Sequence, residues 1–154
     1  MIRISHPTGI LKGTIALPSS KSICNRMLIL KKLYEPDLKL DNLSNANDSV
    51  LLKDILDRDV RDIDVQDAGT VFRFMVAYAA TGEGEYTLRG TGRLMERPIK
   101  ELVDALRMFG ADITYLEKEG QAPLRIVGKS LKANTSLIDL TNVKSSQFIS
   151  ALLL

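Results

Sequence analysis

The chain has 154 residues, 45% of them hydrophobic, with 21 cations against 19 anions and a formal net charge of +2. That is long and apolar enough for one domain with a real core, and too balanced for a disordered chain or a nucleic-acid surface. Aromatic residues at 5%, a single cysteine and no apolar run near the roughly 18 residues that span a bilayer argue against base stacking, an internal disulfide and a transmembrane helix.

In chain order, the first expected elements are two strands, Ile2 to Ile4 and Gly9 to Leu17. No signal-peptide core precedes them, which points to a cytoplasmic protein, and Asn134-Thr135-Ser136 is then a chance sequon. Leu17-Pro18-Ser19-Ser20-Lys21-Ser22-Ile23-Cys24-Asn25-Arg26 leads into Met27-Leu28-Ile29-Leu30 and predicts a helix whose free N–H groups lie among the serines. Helix starts favour anions, and Lys21 and Arg26 add two full positive charges about one and a half turns apart. A phosphate or carboxylate ligand suits this segment, although an ordinary N-cap beside surface cations would read the same. The glycines of a Walker A loop are missing, so nucleoside triphosphate binding is not implied. Cys24, on an apolar helix, reads as a small core residue rather than a nucleophile. His6, the sole histidine, makes neither a metal site nor a triad.

A strand is expected over Leu38 to Leu43, then a helix from Asn47 to Leu56 capped by Asn47 or Asp48, then a strand over Val60 to Val65. Asp67-Ala68-Gly69-Thr70-Val71-Phe72-Arg73 opens the next helix with the same combination of small residue, hydroxyl and cation. Tyr86 to Arg89 reads as a strand. Arg97 to Phe109 reads as a helix with Pro98 in its first turn and Ile99, Leu102, Val103, Leu106 and Phe109 on one face. Strands follow at Ile113 to Leu116, Leu124 to Val127 and Ser136 to Leu140, with turns at Glu119-Gly120 and Gly128-Lys129. Val143-Lys144-Ser145-Ser146-Gln147-Phe148-Ile149-Ser150 then opens a third polar helix start.

The order is β-α-β-α-β, repeated, in an α/β (α+β) protein. Ser19 to Gly69 and Asn47 to Arg97 are the same distance apart, which supports an irregular internal repeat with its polar helix starts on one side. Ser150-Ala151-Leu152-Leu153-Leu154 stops inside an apolar helix without a cap, as in a truncated chain whose remainder would cover Phe148, Ile149, Leu152, Leu153 and Leu154.

Six motifs in register carry a family resemblance: Pro18-Ser19-Ser20-Lys21-Ser22 with Asn25-Arg26, Ala68-Gly69-Thr70 with Arg73, Glu96-Arg97-Pro98-Ile99, Leu102-Val103-Asp104-Ala105-Leu106, Pro123-Leu124-Arg125-Ile126, and Ser145-Ser146-Gln147-Phe148. Over essentially its whole length the chain resembles the first third of the 5-enolpyruvylshikimate-3-phosphate synthase family. That resemblance implies two domains of β-α-β-α-β-β units, the enolpyruvyl transferase fold, with helix N-termini facing an interdomain cleft. Residues 1–17 would belong to the other domain, and 18–154 to about two units of one domain, truncated at the C-terminus. The implied reaction transfers the enolpyruvyl group of phosphoenolpyruvate to the 5-hydroxyl of shikimate 3-phosphate and releases phosphate.

The resemblance also implies roles. Lys21 touches both ligands, Ser22 and Arg26 bind shikimate 3-phosphate, Gly69 lets backbone approach the phosphoenolpyruvate phosphate, and Arg97 grips it with a planar fork. Ser145, Ser146 and Gln147 hold the shikimate phosphate and ring, while Thr70 and Arg73 are mainly structural. Glu96 is a partner or first-turn anion rather than a catalytic acid. No catalytic acid or base, metal or organic cofactor is implied in this segment. The proton carriers would come from the missing C-terminal part, which leaves the isolated chain inactive, its residues serving to position two phosphates. The chain departs from the family pattern at Asp67, commonly asparagine, which could cap the helix, and at Ser19, commonly glycine, whose Cβ could narrow the phosphoenolpyruvate pocket.

Two other readings stand beside this one. UDP-N-acetylglucosamine enolpyruvyl transferase shares the fold and an R-P helix start but carries a cysteine in the preceding loop, and Gly92-Arg93-Leu94-Met95-Glu96 has none. A non-catalytic anion- or RNA-binding module could use the same repeat, and salt-sensitive RNA binding would mark it.

Overall fold

The structure, a computed structural model, describes Ser5 and residues 7–10, 12–132, 141 and 145–154. Its elements are α1 (Lys21–Tyr34), α2 (Asn47–Arg58), β1 (Asp62–Asp64), α3 (Gly69–Thr81), β2 (Gly84–Arg89), a 3-10 turn (Gly92–Glu96), α4 (Lys100–Met108), β3 (Asp112–Tyr115), β4 (Leu124–Gly128) and α5 (Ser146–Leu152). From β1 to β4 this is one complete β-α-β-α-β-β unit, with α1 and α2 before it and α5 after it. The expected strands Ile2 to Ile4 and Ser136 to Leu140, together with His6 and Lys144, lie outside the described residues.

Each strand alternates apolar and polar residues because one face of the sheet is covered. Ile63, Tyr86, Leu88, Ile113, Leu124 and Ile126 point inward and are nearly inaccessible. Strand order is β1-β2-β4-β3, parallel between β1 and β2 and antiparallel across the other two pairs. The parallel pair is joined by α3, since parallel strands need a crossover. Helix α3 packs on β2 and β4, α4 packs on β3, and both touch α5. Ten residues of α3 are buried, on every side of the helix, so it runs through the middle of the molecule.

Gly128 lets α3 come this close to the sheet. A Cβ on Gly128 would collide with the carbonyl oxygen of Gly82 and lie 2.7 Å from that of Ala79, both at the C-terminal end of α3. Neither obstacle is a side chain that can rotate away. Gly128→Ala should therefore cost about 1–3 kcal/mol as an overpacking change, lowering the melting temperature by several degrees in a thermal scan. An unchanged melting temperature would mean that β4 slides freely against α3.

Several expectations change. Leu38 to Leu43 and the described part of Gly9 to Leu17 form no strand. A strand needs a ladder partner, and the 38–43 segment instead turns through Asn42 in the left-handed region. Leu40 and Leu43 nevertheless pack against the core, and Lys31 Nζ donates to the Leu38 carbonyl at 2.6 Å. Ile15 and Leu17 are exposed. Helix α2 is capped at Ala46 by neither Asn47 nor Asp48 and runs on to Arg58. Helix α4 begins at Lys100 rather than Arg97, because Arg97 precedes Pro98 and the proline ring keeps its predecessor out of the helical region. Arg97 is extended at φ −76°, ψ 128°, so the equal spacing of helix starts is not kept. Phe148 is buried, and the apolar residues that α5 and its end leave to solvent are Ile149 and Leu153. Cys24 lies in the core, as its helix position predicts.

Candidate anion site at the helix starts

The helix starts gather at one end through specific contacts. Lys21 Nζ pairs with Asp48 Oδ2 at 3.2 Å, and Ser49 Oγ donates to Asn25 Oδ1 at 2.7 Å, which joins the first turns of α1 and α2. Asn25 is completely buried, and its Nδ2 has no partner. Gln147 on α5 meets Thr70 on α3 at 2.9 Å. Arg97, at the entry to α4, lays its guanidinium against Gly69, where an added Cβ would strike its Nη1.

Local sequence explains the differing helix starts. Ser20 caps α1 by accepting from the Ile23 N–H at 3.4 Å, and Ser145 caps α5 by accepting from the Gln147 N–H at 3.3 Å. Helix α3 has no such cap. Ala68 precedes it without an oxygen to offer, and Asp67, although one residue earlier, is exposed and does not bond the helix start. The first N–H groups of α3 thus lack a side-chain cap beside Arg97, and the absent Cβ of Gly69 leaves room for that guanidinium. No carboxylate among the described residues forms an ion pair with Arg97. N–H groups without a side-chain cap, a helix dipole and a guanidinium with no ion-pair partner among the described residues are chemistry that suits an anion.

Arg73 stands one turn into α3. Its Nη1 donates to the Gly69 carbonyl at 3.2 Å and to Gln147 Oε1 at 2.8 Å, and its guanidinium lies 5.0 Å over the ring of Phe148. Burial, and next the like charge of Arg97, hold Arg73 below the usual arginine range, with Glu101 opposing them. It remains a cation, since arginine does not deprotonate in proteins.

Arg26 is engaged within the fold. Its Nε and Nη2 donate to Ser150 Oγ at 3.2 and 2.8 Å, its Nη1 donates to the Ser22 carbonyl at 2.9 Å, and it lies 5.5 Å over the ring of Phe74. Ser22 and Ser146 keep exposed side chains, and Ser145 is spent on its cap. Gly69, Arg97, Ser145 and Gln147 therefore form one neighbourhood, with Arg26 reaching α5 from α1 and Ser22 one turn before it on the same helix. Lys21 is held away on Asp48. The Ser19 hydroxyl donates to the Asn42 carbonyl.

Sequence reading missed three partners. Asp48 was visible as a first-turn anion and Ser150 as a hydroxyl one turn after Ser146, but neither says which cation it meets. The Thr70–Gln147–Arg73 chain joins residues 77 and 74 positions apart, which no local pattern encodes. A hollow of about 390 Å³ between Leu28, Leu40, Leu43 and Leu56 lies among the C-terminal halves of α1 and α2. Its three lysines are occupied: Lys31 bonds the Leu38 carbonyl, Lys32 the Leu56 carbonyl, and Lys53 pairs with Asp57. Among the described residues no helix is long and apolar enough to cross a membrane.

This architecture is shared with solved structures of other proteins. Two solved structures of EPSP synthase from Acinetobacter baumannii superpose with TM-scores of 0.76 and 0.77 over 92% of this chain and 37% of theirs, at 17% and 18% identity. In sequence, the model of EPSP synthase (3-phosphoshikimate 1-carboxyvinyltransferase) matches residues 58–154, and the chain belongs to that family. A 3-phosphoshikimate 1-carboxyvinyltransferase of Bacteroides fragilis (strain YCH46) is 46% identical over 98% of this chain and 36% of its own length. One from Vibrio cholerae serotype O1 (strain M66-2) is 36% identical over 97% of the chain and 41% of its own length. The chain thus spans little more than a third of these relatives.

Proposed function

We propose that this chain supplies the phosphate-holding wall of an enzyme that transfers the enolpyruvyl group of phosphoenolpyruvate to the 5-hydroxyl of shikimate 3-phosphate, releasing phosphate. The observation that carries this reading is Arg97 lying on Gly69 at an uncapped helix start, without a carboxylate partner. In the reaction a proton reaches the methylene of phosphoenolpyruvate while the sugar hydroxyl gives up its proton and its oxygen bonds to the adjacent carbon; phosphate then leaves the tetrahedral intermediate and the new methyl group loses a proton, which restores the double bond. Two anionic substrates must be held side by side, and their mutual repulsion has to be offset. Arg97 and the α3 N–H groups suit the phosphate of phosphoenolpyruvate. Ser22, Arg26, Ser145, Ser146 and Gln147 suit shikimate 3-phosphate, and Lys21, once released from Asp48, reaches toward both.

The contribution is electrostatic preorganisation and positioning rather than proton transfer. In the whole enzyme residues 1–17 would belong to the opposite domain and residues 18–154 to about two repeat units of this one. A cytoplasmic location and an absence of nucleic-acid or membrane partners accompany this reading. Its test is titration calorimetry on a full-length enzyme carrying this segment, with each substrate separately and in 50 mM and 200 mM salt against RNA. Binding of both phosphorylated substrates is expected. RNA binding that collapses with salt, without affinity for shikimate 3-phosphate, would replace the reading by the nucleic-acid one.

A further inference from the structure

The two helix pairs of this chain are covered differently. In the later repeat α4 is followed by the paired strands β3 and β4, on which α4 and α3 pack. In the earlier one α2 ends at Arg58 and the chain passes directly into β1, which pairs with β2 in the sheet of the next unit. Among the described residues no strand pair therefore follows α2 as β3 and β4 follow α4. Beside the C-terminal halves of α1 and α2 lies the 36–43 segment, and under it Leu28, Leu40, Leu43 and Leu56 bound the open hollow described above.

At about 390 Å³ this hollow has the size of a small-molecule site, for which about 300–1,000 Å³ is usual. Its apolar wall is leucine, and its charges are three lysines against one carboxylate, Asp57. The fold neutralises two of the three: Lys32 pairs with Asp59 at 3.4 Å, and Lys53 pairs with Asp57. Lys31 is different. Its Nζ donates to the Leu38 carbonyl at 2.6 Å, a neutral partner that engages one of an ammonium's three donors and cancels no charge. Among the described residues Lys31 forms no ion pair. The bond to Leu38 holds this cation beside the 36–43 segment, with donors to spare.

That combination selects its ligand by exclusion. An inorganic anion would satisfy Lys31 but leave the leucines in contact with water, and a neutral hydrocarbon would cover the leucines but leave the ammonium without a counter-charge. A cationic ligand would meet three lysines. A compact organic acid with an aromatic or branched apolar body satisfies both halves. We propose that this hollow binds a small monoanionic organic acid, its apolar body among the leucines and its carboxylate on Lys31. The site lies away from the helix starts, so the acid binds without displacing a substrate, and it does not depend on which substrates those starts hold.

The experiment titrates a full-length enzyme carrying this segment with 2-naphthoate and with its neutral isostere 2-naphthamide, by calorimetry. Naphthoate should bind about tenfold or more tighter than the amide, the worth of one hydrogen bond between charged groups. Lys31→Met keeps an apolar stem and removes the ammonium, and should erase that preference by weakening naphthoate alone. Leu40→Trp fills the hollow from its half-buried wall and should weaken both probes about tenfold or more; it keeps the test decisive should Lys31→Met not fold. Saturating phosphoenolpyruvate and shikimate 3-phosphate should leave naphthoate binding unchanged. Displacement of the probe by either one puts it at the helix starts and overturns the proposal. So does an absence of naphthoate binding at concentrations on the order of a millimolar, the outcome expected if other parts of the enzyme cover the hollow. Equal affinity for the two probes, or a Leu40→Trp protein that binds them as tightly as the parent, overturns it as well.

Discussion

Arg97→Ala in a full-length enzyme carrying this segment should weaken phosphoenolpyruvate binding about tenfold to a hundredfold and shikimate 3-phosphate much less. The reason is the environment of each guanidinium. Arg97 lies on Gly69 with no ion-pair partner among the described residues, so its hydrogen-bonding capacity is left for a ligand. A hydrogen bond to a charged group contributes about 1.5–3 kcal/mol, which sets the expected range. Arg97→Lys should recover only part of the loss, because an ammonium keeps the charge without the planar fork. Arg26→Ala should show the opposite preference and in addition lower the melting temperature, since Arg26 also holds Ser150 and covers Phe74. Separate calorimetric titrations with each substrate decide the matter. Equal weakening of both ligands by both variants would reduce these residues to a general positive field.

The 154-residue chain alone should be catalytically silent, with phosphate release from phosphoenolpyruvate and shikimate 3-phosphate at least about ten-thousand-fold slower than in a full-length enzyme. General acid–base groups contribute about a hundredfold to ten-thousandfold each, and the site described here is made of cations, hydroxyls and one amide. Among the described residues Asp48 is the one carboxylate that pairs with a cation of this set, and it is taken by Lys21, while Glu101 acts on Arg73 through its charge alone. A phosphate-release assay tests this. Turnover by the isolated chain near that of a complete enzyme would mean that a proton carrier is present in this segment.

The parts of the fold legible in the sequence were those written in local chemistry. Ser20 and Ser145 announced helix starts by hydroxyls in capping position, and Tyr86, Leu88, Leu124 and Ile126 announced strands by alternation. Leu38 and Leu40 imitate that alternation, but Leu43 breaks the period and Asn42 turns the chain, so packing was kept while pairing was lost. Pro98 carried two opposed signals: a favoured first-turn residue for a helix and a restriction on the residue before it. The restriction prevailed at Arg97, and it is what aims that side chain at Gly69 rather than along a helix face. The site was legible as a set of residue types, because hydroxyl, small residue and cation recur at each start. Who holds whom was not, since the Lys21–Asp48 and Gln147–Thr70 contacts are set by how helices distant in sequence come to lie side by side.

Helix α3 is packed on all sides, and it also carries Gly69 at its mouth. The floor of the proposed anion site and the centre of the core are thus the same object, so any change that tilts this helix is felt as lost stability before it is felt as altered affinity. The opposite lip is built differently. Gly92 to Pro98 is a short exposed turn in which Leu94 is the buried anchor, and it delivers Arg97 from outside. Freedom to retune the pocket is therefore one-sided. Selection or design can reshape how the arginine arrives while the helix beneath it stays fixed, and variation tolerated around this site should accumulate on the turn and stop at the helix.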